Sequence, residues 1–266
     1  MSSTFTAIDA GQYEQMMGRW SRILARQFTA FAGPSAGEVV IDVGCGTGSL
    51  TFELLAAAKN LAVTGIDYSP VYLAAARAHP AAKSVKFLEG DATALPMADA
   101  SFDRALSLLV LQFVPEAARA IGEMRRIVRP GGMVAAAVWD MRGGFLMQRL
   151  FWDAMACVAP SGEAGRARAY SRPLTGKGEL VAAFHAAGLV DTADTSLTIR
   201  MEYSCFDDLW RPIAGGEGPM GAYLSQLSPS ERATGTAAVK RAYEGGAPDG
   251  PRSFVASAWA CRGRVP

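Results

Sequence analysis

Two aspartates and three glycines are the residues of this sequence whose types and spacing could do chemistry. The apolar run Val39-Val40-Ile41-Asp42-Val43 leads directly into Gly44-x-Gly46-x-Gly48. Glycines so spaced let a chain turn tightly and bring its backbone close to a ligand. A helix beginning just beyond would aim its free N–H groups, and the positive end of its dipole, at the same place. Asp67 closes the run Val63-Thr64-Gly65-Ile66-Asp67, 19 residues beyond Gly48. A carboxylate there can accept both hydroxyls of a ribose. Asp91 follows Phe87-Leu88-Glu89-Gly90 and can accept from an exocyclic amino group of the kind adenine presents. Taken singly, each acid reads as a helix cap or a solvated turn residue, and the glycine loop as an ordinary strand-to-helix turn. At the ends of three successive strands, the three together describe a nucleoside site.

The elements that must hold these residues follow from periodicity. Apolar strand candidates stand at Val39–Val43, Ala62–Ile66, Val85–Glu89, Asp103–Leu108, Met133–Trp139, Thr192–Tyr203 and Phe254–Cys261. Helical stretches separate the early ones, near Ser49–Lys59, Pro70–His79 and Glu116–Val128. Strands alternating with helices imply βαβ units and a mostly parallel sheet. Upstream, Tyr13, Met16, Met17, Trp20, Leu24, Phe28 and Phe31 share one helical face, with a break expected at Gly18. Two stretches interrupt the alternation. Residues 141–178 carry an aromatic-rich helix, Phe145–Val158, then a segment read as an irregular loop. Residues 205–250 carry an Ala-rich helix near Glu231–Tyr243. Insertions this long in a compact domain are usually lids or binding elements.

With those residues in view, the sequence resembles the class I methyltransferases that use S-adenosylmethionine (SAM), in the branch of the ubiquinone and menaquinone biosynthesis enzymes. Ile41-Asp42-Val43-Gly44-Cys45-Gly46-Thr47-Gly48 is similar to that family's first motif. Gly65-Ile66-Asp67-Tyr68-Ser69-Pro70 is similar to the second, and Gly90-Asp91-Ala92 with Leu95-Pro96 and Phe102-Asp103 to the third. Arg129-Pro130-Gly131-Gly132 resembles the family's turn into strand five. The resemblance implies an α/β, Rossmann-like, seven-stranded and mostly parallel sheet with flanking helices and helical lid insertions. Phe254–Cys261 would be an inserted antiparallel strand. The single domain would divide into an N-terminal helical cap (1–33), a SAM-binding core (34–140), lid insertions (141–178 and 205–250), and segments completing the sheet (179–204 and 251–266). By the same analogy SAM would meet Tyr13, Arg22, Gly44, Cys45, Gly46, Asp67, Tyr68, Asp91, Ala92 and Leu108. Asp67 would hold the ribose, and Tyr13 and Arg22 would approach the methionine end, with Arg22 on its carboxylate. Arg22 reads equally well as half of a surface basic pair on a packing helix.

Methyl transfer from a sulfonium mainly requires that nucleophile and methyl be held in line and water excluded. The sequence accordingly designates no catalytic residue. His79 and His185 both read as surface positions. Trp139, Phe145, Trp152, Tyr170 and Trp210 could wall a pocket or simply pack the core, and Gln112 could face the site or pack against a helix. A nicotinamide oxidoreductase would favour G-x-G-x-x-G and has no need of Asp91. A non-catalytic SAM-binding regulator stays open, because the chemistry demands no particular side chain.

Composition narrows the partners. The net charge is +1, and the cations are scattered rather than gathered into the stripe that nucleic acid requires. The motif Asn/Asp-Pro-Pro-aromatic, expected of nucleic-acid methylases, is replaced by Leu109-Val110-Leu111-Gln112. Cys45, Cys157, Cys205 and Cys261 form no C-x-x-C pair, so neither a metal site nor a disulfide framework is expected. Leu106–Val114 is too short to span a bilayer, and Met1–Gln15 lacks the layout of a signal peptide. A cytoplasmic enzyme with a small-molecule methyl acceptor is the expectation. The insertions leave a homodimer interface open as an alternative to lids.

Overall fold

In the computed structural model, which describes residues 3–5 and 7–266, the seven expected strands form one sheet. They are β1 (Val39–Val43), β2 (Ala62–Asp67), β3 (Val85–Glu89), β4 (Phe102–Leu108), β5 (Val128–Trp139), β6 (Val190–Tyr203) and β7 (Arg252–Arg264). Their order across the sheet is β3-β2-β1-β4-β5-β7-β6. Every neighbouring pair is parallel except those of β7, which runs antiparallel to β5 and to β6. The last strand is therefore the expected antiparallel insert, reaching beyond both of its expected ends. Arg129–Gly132, expected as a turn into the strand, instead lies within β5 as an irregularity in its pairing with β4. Val128 pairs with Phe102, and pairing with β4 then resumes only at Met133.

Alternation along the strands divides the interior into two cores. On β1 and β5, Val40, Ala135 and Ala137 face one core, while Ile41, Val43, Val134, Ala136 and Val138 face the other. Among the described residues eleven α-helices, numbered along the chain, surround the sheet: α1 (Ala10–Tyr13), α2 (Arg19–Ala32), α3 (Ser49–Ala57), α4 (Pro70–Ala78), α5 (Ala117–Ile127), α6 (Leu146–Val158), α7 (Pro160–Tyr170), α8 (Glu179–Ala186), α9 (Phe206–Ala214), α10 (Gly218–Leu224) and α11 (Pro229–Glu244). Trp20, Leu24 and Phe28 of α2 fill the first core, whereas Ile121 and Met124 of α5 and Phe184 of α8 fill the second. Among the described residues, no helix is long and apolar enough to cross a membrane.

Three local expectations need correction. The helix does not break at Gly18. It continues through a π-helical turn, Glu14–Gly18, the kind of one-turn widening often found beside functional sites. The segment after α6 is no irregular loop but α7, which starts on Pro160. Its glycines hide the helix in the sequence and explain it in the structure. A Cβ at Gly162 would lie 2.3 Å from the Met155 carbonyl oxygen, and one at Gly165 would lie 2.2 Å from the Trp152 ring. Residues 205–250 hold α9 and α10 as well as the expected Ala-rich helix. The portions of the N-terminal cap at Met1, Ser2 and Thr6 lie outside the described residues.

Candidate functional site

The order of the sheet turns back between β1 and β4, and this is where open α/β sheets bind ligands, at the carboxyl ends of the strands. A cavity enclosing about 1230 Å³ of empty space, its open mouth included, lies there. Val43, Gly44, Cys45 and Gly46 line it from the end of β1, Asp67 and Tyr68 from β2, Asp91 and Ala92 from beyond β3, and Leu108 from β4. Tyr13 closes it from the N-terminal cap. Of the ten sequence-designated residues, nine are brought together.

Arg22 is the tenth, and it stands elsewhere. Its guanidinium pairs with the Glu14 carboxylate, half-exposed, in a neighbouring charged groove that also contains Arg19 and Asp208. The other Glu14 oxygen accepts from the Thr47 hydroxyl, so the cap's acid sits on the glycine loop. In this conformation Glu14 holds the arginine away from the cavity.

The glycine loop is built for close approach. Gly44, Gly46 and Gly48 all have positive φ, and the Gly44 and Cys45 amides donate to the Ile66 carbonyl, tying the loop to β2. At Gly46, φ is +53° and a Cβ would meet nothing within 4 Å, because that face of the loop looks into open space. The Gly46 amide donates instead to Asp67 Oδ2 at 2.8 Å, and Ser69 N donates to Asp67 Oδ1 at 2.8 Å. Asp67 is thereby aimed, and each oxygen keeps a further lone pair for a hydroxyl donor. Asp91 Oδ1 is held in the same way, by the Thr93 amide and hydroxyl at 2.8 Å each.

Burial sets the electrostatics. Asp42 is 1 % exposed, and desolvation pushes its carboxyl up to about 7, although the Thr51 hydroxyl bond opposes the rise. Desolvation raises Asp67 as well. Tyr13 is pushed up to about 12, chiefly by burial, and so keeps its proton at neutral pH. Asp42 Oδ1, Ser21 Oγ and Ser49 Oγ are buried without a hydrogen-bond partner, and all three residues line the cavity. Orphaned buried polar atoms are uncommon and call for a ligand or ordered water. This cluster suits the polar, cationic end of an amino-acid-bearing cofactor.

The opposite end is apolar. Trp139, Met141, Phe145 and Gln148 line it from the first insertion and the strand before it, and Pro219 and Met220 from the second. Both insertions therefore reach the cavity. Trp152 and Trp210, candidates for its wall, instead pack around Phe151, and Tyr170 donates to Asp153. Gln112 accepts from the Trp139 amide at 3.3 Å and supports that wall from behind. His79 stacks on Phe52, and His185 contacts Thr192 at the surface. Sequence reasoning missed Glu217, which is completely buried. It accepts from the Ile8 and Asp9 amides and the Tyr72 hydroxyl, fastening the N-terminal segment over the cavity. Nothing near it in sequence announces that role.

Comparison with known proteins agrees with this geometry. Malonyl-[acyl-carrier protein] O-methyltransferase from Pectobacterium atrosepticum is 38% identical over 128 residues, 48% of this chain and 49% of that protein. A chloroplastic 2-methyl-6-phytyl-1,4-hydroquinone methyltransferase from Oryza sativa subsp. japonica is 38% identical over 43% of this chain and 32% of its own length. The chain thus spans about half the length, or less, of these curated relatives. Phosphoethanolamine N-methyltransferase 2 from Haemonchus contortus, solved with S-adenosylhomocysteine, superposes with a TM-score of 0.59 at 15% identity, over 97% of this chain and 57% of that one. That likeness speaks to the fold. The family model described as "Methyltransferase domain" matches residues 41–136, from the middle of β1 into β5. Over those residues, which contain the glycine loop, Asp67 and Asp91, the chain is similar to the methyltransferase domain family.

Proposed function

We propose that this chain is a SAM-dependent methyltransferase that passes a methyl group to a small-molecule acceptor by in-line displacement. One observation carries the reading. A glycine loop open to the cavity and three aimed or buried carboxylates, Asp42, Asp67 and Asp91, surround one end of a cavity whose other end is apolar. Asp67 would hold the ribose hydroxyls, Asp91 and Ala92 the adenine, and Gly44 to Gly46 the cofactor's spine. Asp42, Ser21 and Ser49 would receive the amino-acid end. When bound, SAM would supply a methyl on a sulfonium, an activated electrophile whose sulfur would keep the electron pair of the bond that the acceptor's nucleophile displaces. The protein's part is to align the partners and keep water out. Tyr13 and the apolar wall serve that end.

The two curated relatives cover less than half of this chain, so they support the transfer reaction more than any one acceptor. Calorimetric titration with SAM and with NADH tests the cofactor, and NADH binding in place of SAM would end the reading. Mass spectrometry of a metabolite extract incubated with methyl-labelled SAM tests the transfer. Tight SAM binding with no labelled product would favour a regulatory SAM-binding protein instead.

A further inference from the structure

We propose that Gln148 selects the methyl acceptor, and that this acceptor is an uncharged, largely apolar molecule carrying a hydrogen-bond-accepting oxygen. The proposal rests on the reading of the cavity as a methyl-transfer site.

The two ends of the cavity differ in charge. Its ionisable carboxylates, Asp42, Asp67 and Asp91, all belong to the β1–β3 side, and among the described residues no Arg, Lys or His lines it. An acceptor bearing a carboxylate or phosphate would give up its water beside Trp139 and Phe145 and gain no counter-charge. An acceptor bearing an ammonium would find no carboxylate at that end. A neutral, apolar body meets neither penalty.

Within this apolar end, Gln148 offers one polar group of fixed orientation. It stands in the first turn of α6 and is 6% exposed. Trp152, one turn further along, donates its indole Nε1–H to Gln148 Oε1 at 2.9 Å. An indole nitrogen can only donate, so the amide oxygen must face Trp152 and the amide NH₂ must face away from it. Trp152 cannot swing aside. Its ring packs against Phe151 and Tyr223, and it fills the space that a Cβ on Gly165 would need. Among the described residues, nothing accepts from Gln148 Nε2, and Gln148 lines the cavity. A pre-oriented donor in an apolar wall favours a ligand that can accept and disfavours one that leaves the donor unpaired. Gln112 lacks this arrangement, because it does not line the cavity.

The test uses the full chain loaded with S-adenosylhomocysteine, whose binding is measured first. Four probes of similar size follow: propiophenone, propylbenzene, 3-phenylpropionate and 3-phenylpropylamine, read by calorimetry and by the fluorescence of Trp139. The ketone should bind at least about ten-fold more tightly than the anion or the cation, and several-fold more tightly than the hydrocarbon. Gln148→Leu should erase the ketone's advantage over the hydrocarbon. Trp152→Phe removes only the orienting N–H, so it should reduce the same advantage with Gln148 still present, which a purely structural role for Trp152 would not do. S-adenosylhomocysteine binding by each variant reports that it has folded. No binding by the ketone, equal binding by an ionised probe, or a ketone advantage that survives in both variants overturns the proposal. If S-adenosylhomocysteine itself does not bind the unaltered protein, the methyltransferase reading fails. If it binds and the ketone preference is absent, only the assignment of the acceptor fails.

Discussion

The Gly46 amide donates to Asp67 Oδ2 at 2.8 Å, so the glycine loop after β1 and the acid at the end of β2 are one unit. The bond holds the carboxylate at the cavity wall while the loop's open face stays clear. Asp67→Ala removes the expected ribose contact, and hydrogen bonds to a charged group contribute about 1.5–3 kcal/mol. SAM affinity measured by calorimetry should fall by about ten-fold or more, with the circular dichroism of the fold retained. Unchanged affinity would place the ribose elsewhere.

Gly46→Val puts a branched side chain at φ +53° and into the open space beside the loop. The strain of a non-glycine residue at such a φ is about 1–3 kcal/mol, which a domain of this size can tolerate. The expected protein is folded and does not bind SAM. Full binding would reduce the loop to a structural turn.

Asp42 makes the cleft sensitive to pH. Its carboxyl lies near 3.8 when exposed and is raised to about 7 by burial. The folded state therefore binds this proton more tightly than the unfolded state. Its contribution to stability is complete below about pH 4 and is lost as pH rises through 7, on the order of 4 kcal/mol at most. A cationic ligand beside Asp42 should relieve that loss. The rise in Tm on adding SAM should be larger at pH 8 than at pH 6, and Asp42→Asn should flatten the difference. Equal stabilisation of the unaltered protein at the two pH values would remove Asp42 from the cofactor site.

Glu14 places a negative charge against Thr47 and holds Arg22 outside the cavity. If Arg22 is to meet the carboxylate of SAM, it must leave Glu14 first. Glu14→Gln weakens that hold and should raise SAM affinity several-fold by calorimetry. In the Glu14→Gln background, Arg22→Ala should reverse the gain. An Arg22→Ala variant that binds SAM normally in both backgrounds would confine Arg22 to the surface.

Glu217 fastens the chain near Ile8 and Asp9 to α10 across more than 200 residues. Glu217→Ala leaves those amides without their acceptor, a change worth roughly 1–3 kcal/mol when buried. Hydrogen exchange at Ile8 and Asp9, and proteolysis within residues 3–13, should speed up, and SAM should slow both again by holding the segment closed. Protection that follows protein concentration and ignores SAM would point to an interface between copies in place of a lid.

Much of this was legible in the residues themselves. Strand and helix positions follow from apolar spacing at periods of two and near 3.6, and the glycine loop from φ values that only glycine adopts easily. These are preferences that a residue exercises over a few neighbours. Together with the resemblance to known motifs they designated ten residues, nine of which line the cavity. Where the local signal misled, small residues were the cause. The glycines of α7 look like loop until the Trp152 ring and the Met155 backbone occupy the space they leave.

The rest was decided only when distant segments met. Local pattern cannot specify that β7 inserts between β5 and β6, because that depends on which sheet edge offers unpaired N–H and C=O groups. Nor can it reveal that Glu217 receives the Ile8 and Asp9 amides, or that Arg22 chooses Glu14 over the cavity. A buried acid takes whatever donors the packed chain brings to it, and a flexible arginine takes the nearest carboxylate. The sequence by itself determined the strand-end residues that the proposed cofactor would meet, because they lie on consecutive strand ends. Tertiary structure decided the apolar end of the cavity, since its wall comes from two insertions and an N-terminal segment that only packing brings together.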